Sequence, residues 1–132
     1  MDFKWISFFL FGVAGLIHIG FFVFESIYLQ RISGQTFLGL DDKTYKQVKI
    51  WAFNQGFYNL AIGLGTFSGL YYVRSLEIKV AGVLISFCGL TMIMAGLVLF
   101  FSVPKMRKMA LAQLLPPLLG FVFLFFHIAK YV

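Results

Sequence analysis

Four stretches of this chain are each long and apolar enough to cross a bilayer, and they leave almost nothing over for a soluble domain. A membrane-crossing helix needs about 20 mostly apolar residues to span a hydrocarbon core of roughly 30 Å. Here the runs go from Trp5 to Leu29, from about Ile50 to Val73, from Val80 to Val103 and from Met109 to Ala129. Barrel strands would alternate apolar with polar over about 10 residues, whereas GVLISFCGLTMIMAGLVLFF is apolar at both parities. The expected fold is therefore all-α, a single integral membrane four-helix bundle of up-down topology over residues 1–132, with helices at about 5–29, 42–73, 80–103 and 109–129.

Composition excludes the alternatives. Apolar residues make up 61% of the chain and charged ones 12%, against roughly half and a quarter in soluble domains, so neither disorder nor an ordinary soluble fold fits. The first run could be mistaken for a secretory signal, since Lys4 precedes it and Val13, Ala14 and Gly15 loosely resemble a cleavage site. It continues to Leu29, however, beyond the roughly 7 to 15 residues of a signal core, and reads as a retained helix. Cys88 is the single cysteine, which excludes an intrachain disulfide and a cysteine-based metal cluster.

The formal charge of +6 would suggest nucleic acid in a soluble protein. In this chain the basic residues sit in short clusters beside the apolar runs, so anionic headgroups of the lipid bilayer are the expected partner and nucleic acid is not. Lys4, Arg74, Lys79 and Lys130 fall on one side of a four-crossing chain, and Arg31, Lys43, Lys46, Lys49, Lys105, Arg107 and Lys108 on the other. This bias places the second side in the cytoplasm and both termini outside, as in a multi-pass protein of the cytoplasmic membrane. Trp5, Trp51, Tyr71, Tyr72 and Tyr131 lie at the proposed helix ends, where amphipathic rings prefer the headgroup layer.

The longest connection, from Gln30 to Lys49, holds Ser33 and Gly34, the apolar cluster Phe37, Leu38 and Leu40, and then Asp41 and Asp42. An Asp ahead of Lys, Tyr and Val at helical spacing is a capping signal, so the second helix is predicted to begin near Asp42 and to run about 48 Å to Val73. That exceeds the hydrocarbon core, and the helix must project or tilt.

Polar residues inside the spans carry the functional information, because each costs a few kcal/mol unless it faces protein, water or a partner. They are His18 and Glu25 on the first helix, Asn54, Gln55, Tyr58 and Asn59 on the second, and Gln113 on the fourth. Glu25, Asn54, Gln55 and Gln113 each lie about one turn from the same membrane face, with Tyr58, Asn59 and His18 progressively deeper. His18 and Glu25, seven apart, share a helix face at an axial separation of about 10 Å. Asn54 with Tyr58 and Gln55 with Asn59 are four apart and together cover an arc of about 140°. Pro116 and Pro117 would free the carbonyls of Ala112 and Gln113 at the same depth.

These residues predict a polar pocket that opens toward the cytoplasm and narrows toward His18. Low dielectric disfavours the charged form of both Glu25 and His18, which makes them the groups expected to exchange protons near neutral pH. A plainer reading stands beside this one: Glu25 reaching headgroups or Lys49, with His18, Asn54, Gln55 and Asn59 as interhelical hydrogen-bond clamps. His127 lies at the far end of the fourth helix, remote from His18, and Met92 and Met94 read as filler, so no metal site is expected. Gly65 and Gly69 form a GxxxG pair on the second helix, a close-packing signal that 13 glycines also make frequent by chance.

The stretch Asn54-Gln55-Gly56-Phe57-Tyr58-Asn59, together with His18 and Glu25, Phe37-Leu38-Gly39-Leu40 in the first loop and Gln113 three before Pro116, resembles a bacterial family of small four-helix membrane proteins, the domain-of-unknown-function family numbered 1304. The resemblance covers essentially the whole chain. It implies that His18, Glu25, Asn54, Gln55, Tyr58, Asn59 and Gln113 are signature positions; no catalytic role carries over with them, and the cofactor is unknown. The loop reads Phe-Leu-Gly-Leu where the family pattern is Phe-Gly-Leu.

Three functions are compatible with this pattern. The leading one is binding or movement of a small molecule or ion, linked to a proton at Glu25. A second is an enzyme acting on a lipid-like or quinone substrate with His18 and Glu25 as acid and base. The third is a structural or assembly subunit whose polar layer locks helix register. Homo-oligomerisation is open to so small a bundle.

Overall fold

Each helix begins or ends where local chemistry dictates. The computed structural model describes residues 2–31 and 41–130. Helix α1 spans Phe3–Arg31 and is capped by Asp2, whose carboxylate accepts from the Lys4 amide at 3.2 Å. Its course is α-helical to Phe22 and then widens into a π-helical segment over Val23–Tyr28. Such segments carry one extra residue per turn and recur at functional sites.

Helix α2 spans Asp42–Arg74. Asp41 caps it, accepting from the Thr44 amide at 2.9 Å and the Thr44 hydroxyl at 2.6 Å, so the capping signal in the sequence marks the start correctly. At its other end the chain reverses through Leu76, which adopts a left-handed φ of 65°, while the Glu77 amide reaches back to the Tyr72 carbonyl at 3.0 Å. Helix α3 spans Ile78–Ser102, and a short 3₁₀ turn over Pro104–Met106 leads into α4, Arg107–Ala129. Pro116 and Pro117 lie inside α4 without ending it.

Three helical stretches, Phe3–Arg31, Ile78–Ser102 and Pro104–Ala129, are long and apolar enough to cross a membrane. Helix α2 is longer than any of them at 33 residues, but its asparagines, glutamine, tyrosines and glycines dilute its hydropathy. It runs beside the spans all the same. Every helix packs against its sequence neighbours, α4 closes against α1, and the diagonal α1–α3 pair barely touches, so the four form a square up-down bundle. Among the described residues there are no strands.

Small residues let the helices approach. A Cβ at Gly63 would lie 2.9 Å from the Gly15 carbonyl oxygen across α1–α2, and one at Gly96 would lie 3.1 Å from the Ala110 carbonyl oxygen across α3–α4. Gly65 and Gly69 both face α3, where added methyls would strike Cys88 Sγ and Ile85 at 2.7 and 2.8 Å; the GxxxG pair is a packing face. The fully buried Phe11 fills the bundle centre. Glycines 89 and 120 make room for its ring, which meets Phe121 edge-on at 5.0 Å. Outward positions such as Phe9, Phe87, Val98, Phe101 and Phe125 are exposed, an apolar exterior suited to lipid.

Candidate functional site

Beyond Phe11 toward the Arg31 end of α1, the core changes from apolar to polar. All four helices contribute to a cleft of about 310 Å³, at the small end of the roughly 300–1,000 Å³ typical of small-molecule sites. Phe21 and Glu25 come from α1, Gln55 and Asn59 from α2, Ala95 and Leu99 from α3, and Met109 and Gln113 from α4, with Met106 from the preceding turn. Asn59 and Gln113 are each 6% exposed.

Glu25 organises the site. Its Oε2 accepts a hydrogen bond from Asn59 Nδ2 at 2.8 Å, and among the described residues no cation pairs with the carboxylate. Two basic side chains near the mouth are held elsewhere, and Lys105 and Lys108, next to Met106 and Met109 in sequence, are exposed. Lys49 Nζ sits over the Tyr45 ring at 5.7 Å, and Arg107 stacks on Phe100 at 5.0 Å while its Nε donates to the Phe100 carbonyl at 3.3 Å.

The π-helical segment explains how Glu25 is presented. Widening the helix loosens the carbonyl ladder, and side chains take up the oxygens. Gln30 Nε2 donates to the Glu25 carbonyl at 3.1 Å and to the Lys49 carbonyl at 3.0 Å. Ser26 donates to the Phe53 carbonyl and Tyr45 to the Leu29 carbonyl, each at 2.8 Å. These bonds clasp α1 to α2 at the mouth of the cleft. Gly56 permits the clasp, since its Cβ position is already filled by Ser26 Oγ.

The structure brings Glu25, Gln55, Asn59 and Gln113 together on the cleft and leaves three other sequence-selected residues outside its lining. Asn54 and Tyr58 are exposed on α2. At 3.6 residues per turn they stand about 160° from Gly56, and Gly56 marks the face turned to α1. His18 is fully buried one layer deeper. Its Nδ1 lies 3.0 Å from the Ala14 carbonyl, an oxygen that only accepts, so Nδ1 carries the hydrogen. Nε2 is buried without a hydrogen-bond partner among the described residues.

Four participants escaped the sequence reading: Ser26, Gln30, Tyr45 and Gly56. Only Gly56 left a usable trace, a glycine seven residues before Gly63 at helix-packing spacing. Phe37, Leu38, Gly39, Leu40 and Tyr131 lie outside the described residues. At the opposite end of the bundle His127 Nδ1 approaches Asp2 Oδ1 at 3.0 Å. Bonding to the Lys4 amide, then the proximity of His127, holds the Asp2 carboxyl below its usual range. A larger groove of about 590 Å³ opens there between Lys4, Trp5, Phe8, Phe9, Leu70, Val73 and Arg74. It gathers no buried polar side chains, so the smaller cleft is the candidate site. Among the described residues no three His, Cys, Asp or Glu side chains are grouped to hold a metal.

The chain belongs to the family described as protein of unknown function DUF1304, whose profile matches residues 12–125. No curated protein and no solved structure matches it.

Proposed function

We propose that this membrane protein binds or moves a small molecule or ion in its polar intramembrane cleft, with Glu25 as the titrating group. One observation carries the reading: a carboxylate and three carboxamides, from three different helices, line a single hollow at a depth where hydrocarbon would reject each of them. A clamp that only locked helix register would be satisfied by mutual hydrogen bonds. Here the Asn59–Glu25 bond uses one carboxylate oxygen, and Gln55 and Gln113 make no hydrogen bond to another described residue. The mouth faces the side that bears Arg31, Lys43, Lys46, Lys49, Lys105, Arg107 and Lys108, which the Lys/Arg bias assigns to the cytoplasm.

The test is reconstitution in proteoliposomes loaded with a pH-sensitive dye. Outward gradients of amines, carboxylates and neutral solutes are applied to wild type and to Glu25→Gln. A solute-driven pH change that needs Glu25 supports the reading, and identical traces for the two proteins across pH 5 to 8 would overturn it.

A further inference from the structure

The cleft's chemistry narrows the ligand, an inference that rests on the function proposed above. The charged groups nearest the cleft among the described residues can be placed, and Arg31 at the end of α1 and Lys46 on α2 are exposed. On α1, His18 is bonded to its own helix. On α2, Lys49 lies over Tyr45, the Tyr45 hydroxyl is spent on the Leu29 carbonyl, and Tyr58 is exposed. Helix α3 offers only Ala95 and Leu99. At the start of α4, Arg107 folds back on Phe100, and Lys105 and Lys108 are exposed.

The carboxylate is thus left half-buried with one hydrogen-bond donor and no counter-ion from the described residues. A buried charge of this kind is paired or neutralised. Unbonded in the cleft are Glu25 Oε1 and Asn59 Oδ1, together with the carbonyl oxygens and the N–H groups of Gln55 and Gln113; the carboxamides are neutral and can turn either end to a ligand, so the one formal charge in the lining, that of Glu25, decides its sign. Phe21, Leu99, Met106 and Met109 supply the apolar remainder, and a ring and thioethers suit a soft cation with an organic body.

We propose that the ligand is a small organic ammonium ion, which donates its N–H bonds to Glu25 and the neighbouring amide oxygens and exchanges for the proton that otherwise neutralises Glu25. Ligand and proton then occupy the same carboxylate in turn.

The experiment uses the full chain in lipid nanodiscs and three probes of one shape: phenethylammonium, 3-phenylpropanoate and 2-phenylethanol. Calorimetry in buffers of different ionisation enthalpy reads both affinity and proton release. Phenethylammonium should bind, release a proton, and weaken about tenfold for each pH unit of acidification once Glu25 is protonated, as one-for-one competition requires. Glu25→Gln, which keeps an oxygen for Asn59, should abolish that binding, and Glu25→Asp should retain its pH dependence. Preferential binding of the carboxylate or the alcohol would overturn the cationic assignment and leave a ligand-binding cleft standing. Amine binding that is unchanged in Glu25→Gln would also overturn it. If none of the three probes binds, the cation proposal and the binding function fall together.

Discussion

Asn59 and Glu25, 34 positions apart in sequence, are joined by a 2.8 Å hydrogen bond from amide to carboxylate, and this bond ties α2 to α1 at the inner end of the cleft. Replacing Asn59 by Leu removes the donor the carboxylate has among the described residues. Leaving a buried acceptor unpaired costs about 1–3 kcal/mol, while measured contacts between membrane helices average about 0.6 kcal/mol. Asn59→Leu should therefore lower unfolding free energy by about 1–2 kcal/mol, as read by steric-trap unfolding in bicelles. Glu25→Gln should cost less, because its amide oxygen still accepts from Asn59.

Gly56→Ala should be among the more damaging alanine substitutions in the chain. The new methyl would coincide with Ser26 Oγ and lie 3.2 Å from Glu25 Cβ, and overpacking of this sort costs about 1–3 kcal/mol. Gly20→Ala is the control, since nothing lies within 4 Å of its Cβ position; it should be neutral or gain up to about 1 kcal/mol from helix propensity. Thermal melts of both variants, and of Gly56→Ala combined with Ser26→Ala, would show whether the clasp is the cause. The double variant should recover part of the loss.

Leu76→Gly should stabilise the protein. Leu76 is 83% exposed and holds a φ of 65°, so it contributes little packing while paying for a left-handed backbone that glycine adopts freely. A gain of about 0.5–1 kcal/mol is expected, seen as a higher midpoint in chemical denaturation.

The start of α2 should loosen in acid. The Thr44 hydroxyl and amide hold the Asp41 carboxyl below the usual 3.8. A depressed folded value means that the cap's contribution is complete above that pH and is lost as pH falls through the folded value. Amide exchange at Thr44 and Tyr45 should accelerate below pH 3.8 relative to mid-helix amides, beyond the intrinsic pH effect. Asp41→Ala should remove the dependence.

Much of this was legible in the sequence because hydrocarbon is an unforgiving solvent. Runs of apolar residues defined the helices, and the rarity of polar groups within them drew attention to Glu25, Gln55, Asn59 and Gln113. Direction around a helix was harder. Asn54, Tyr58, Gln55 and Asn59 span too wide an arc to share one face, and a single sequence does not say which edge turns inward. Gly56 supplies that answer only once it is seen against Ser26. The π-helical segment left no mark, since VFESIY has no proline, glycine or polar run to announce a change of pitch. The donors that stabilise it, Gln30 and Tyr45, come from beyond its end and from another helix.

The supernumerary residue within Val23–Tyr28 acts as a phase correction. Upstream, Ser7, Phe11, Ala14 and His18 keep their side of α1 against the bundle axis; downstream, Ser26, Leu29 and Gln30 must still aim at α2. Deleting one amino acid at Val23 or Phe24 would remove that extra residue and let the segment close to a regular α-helix, with the residues beyond it still aimed at α2. The same deletion in a regular α-helical stretch such as the middle of α3 has no widened turn to absorb it, and would turn everything after the cut by about 100°.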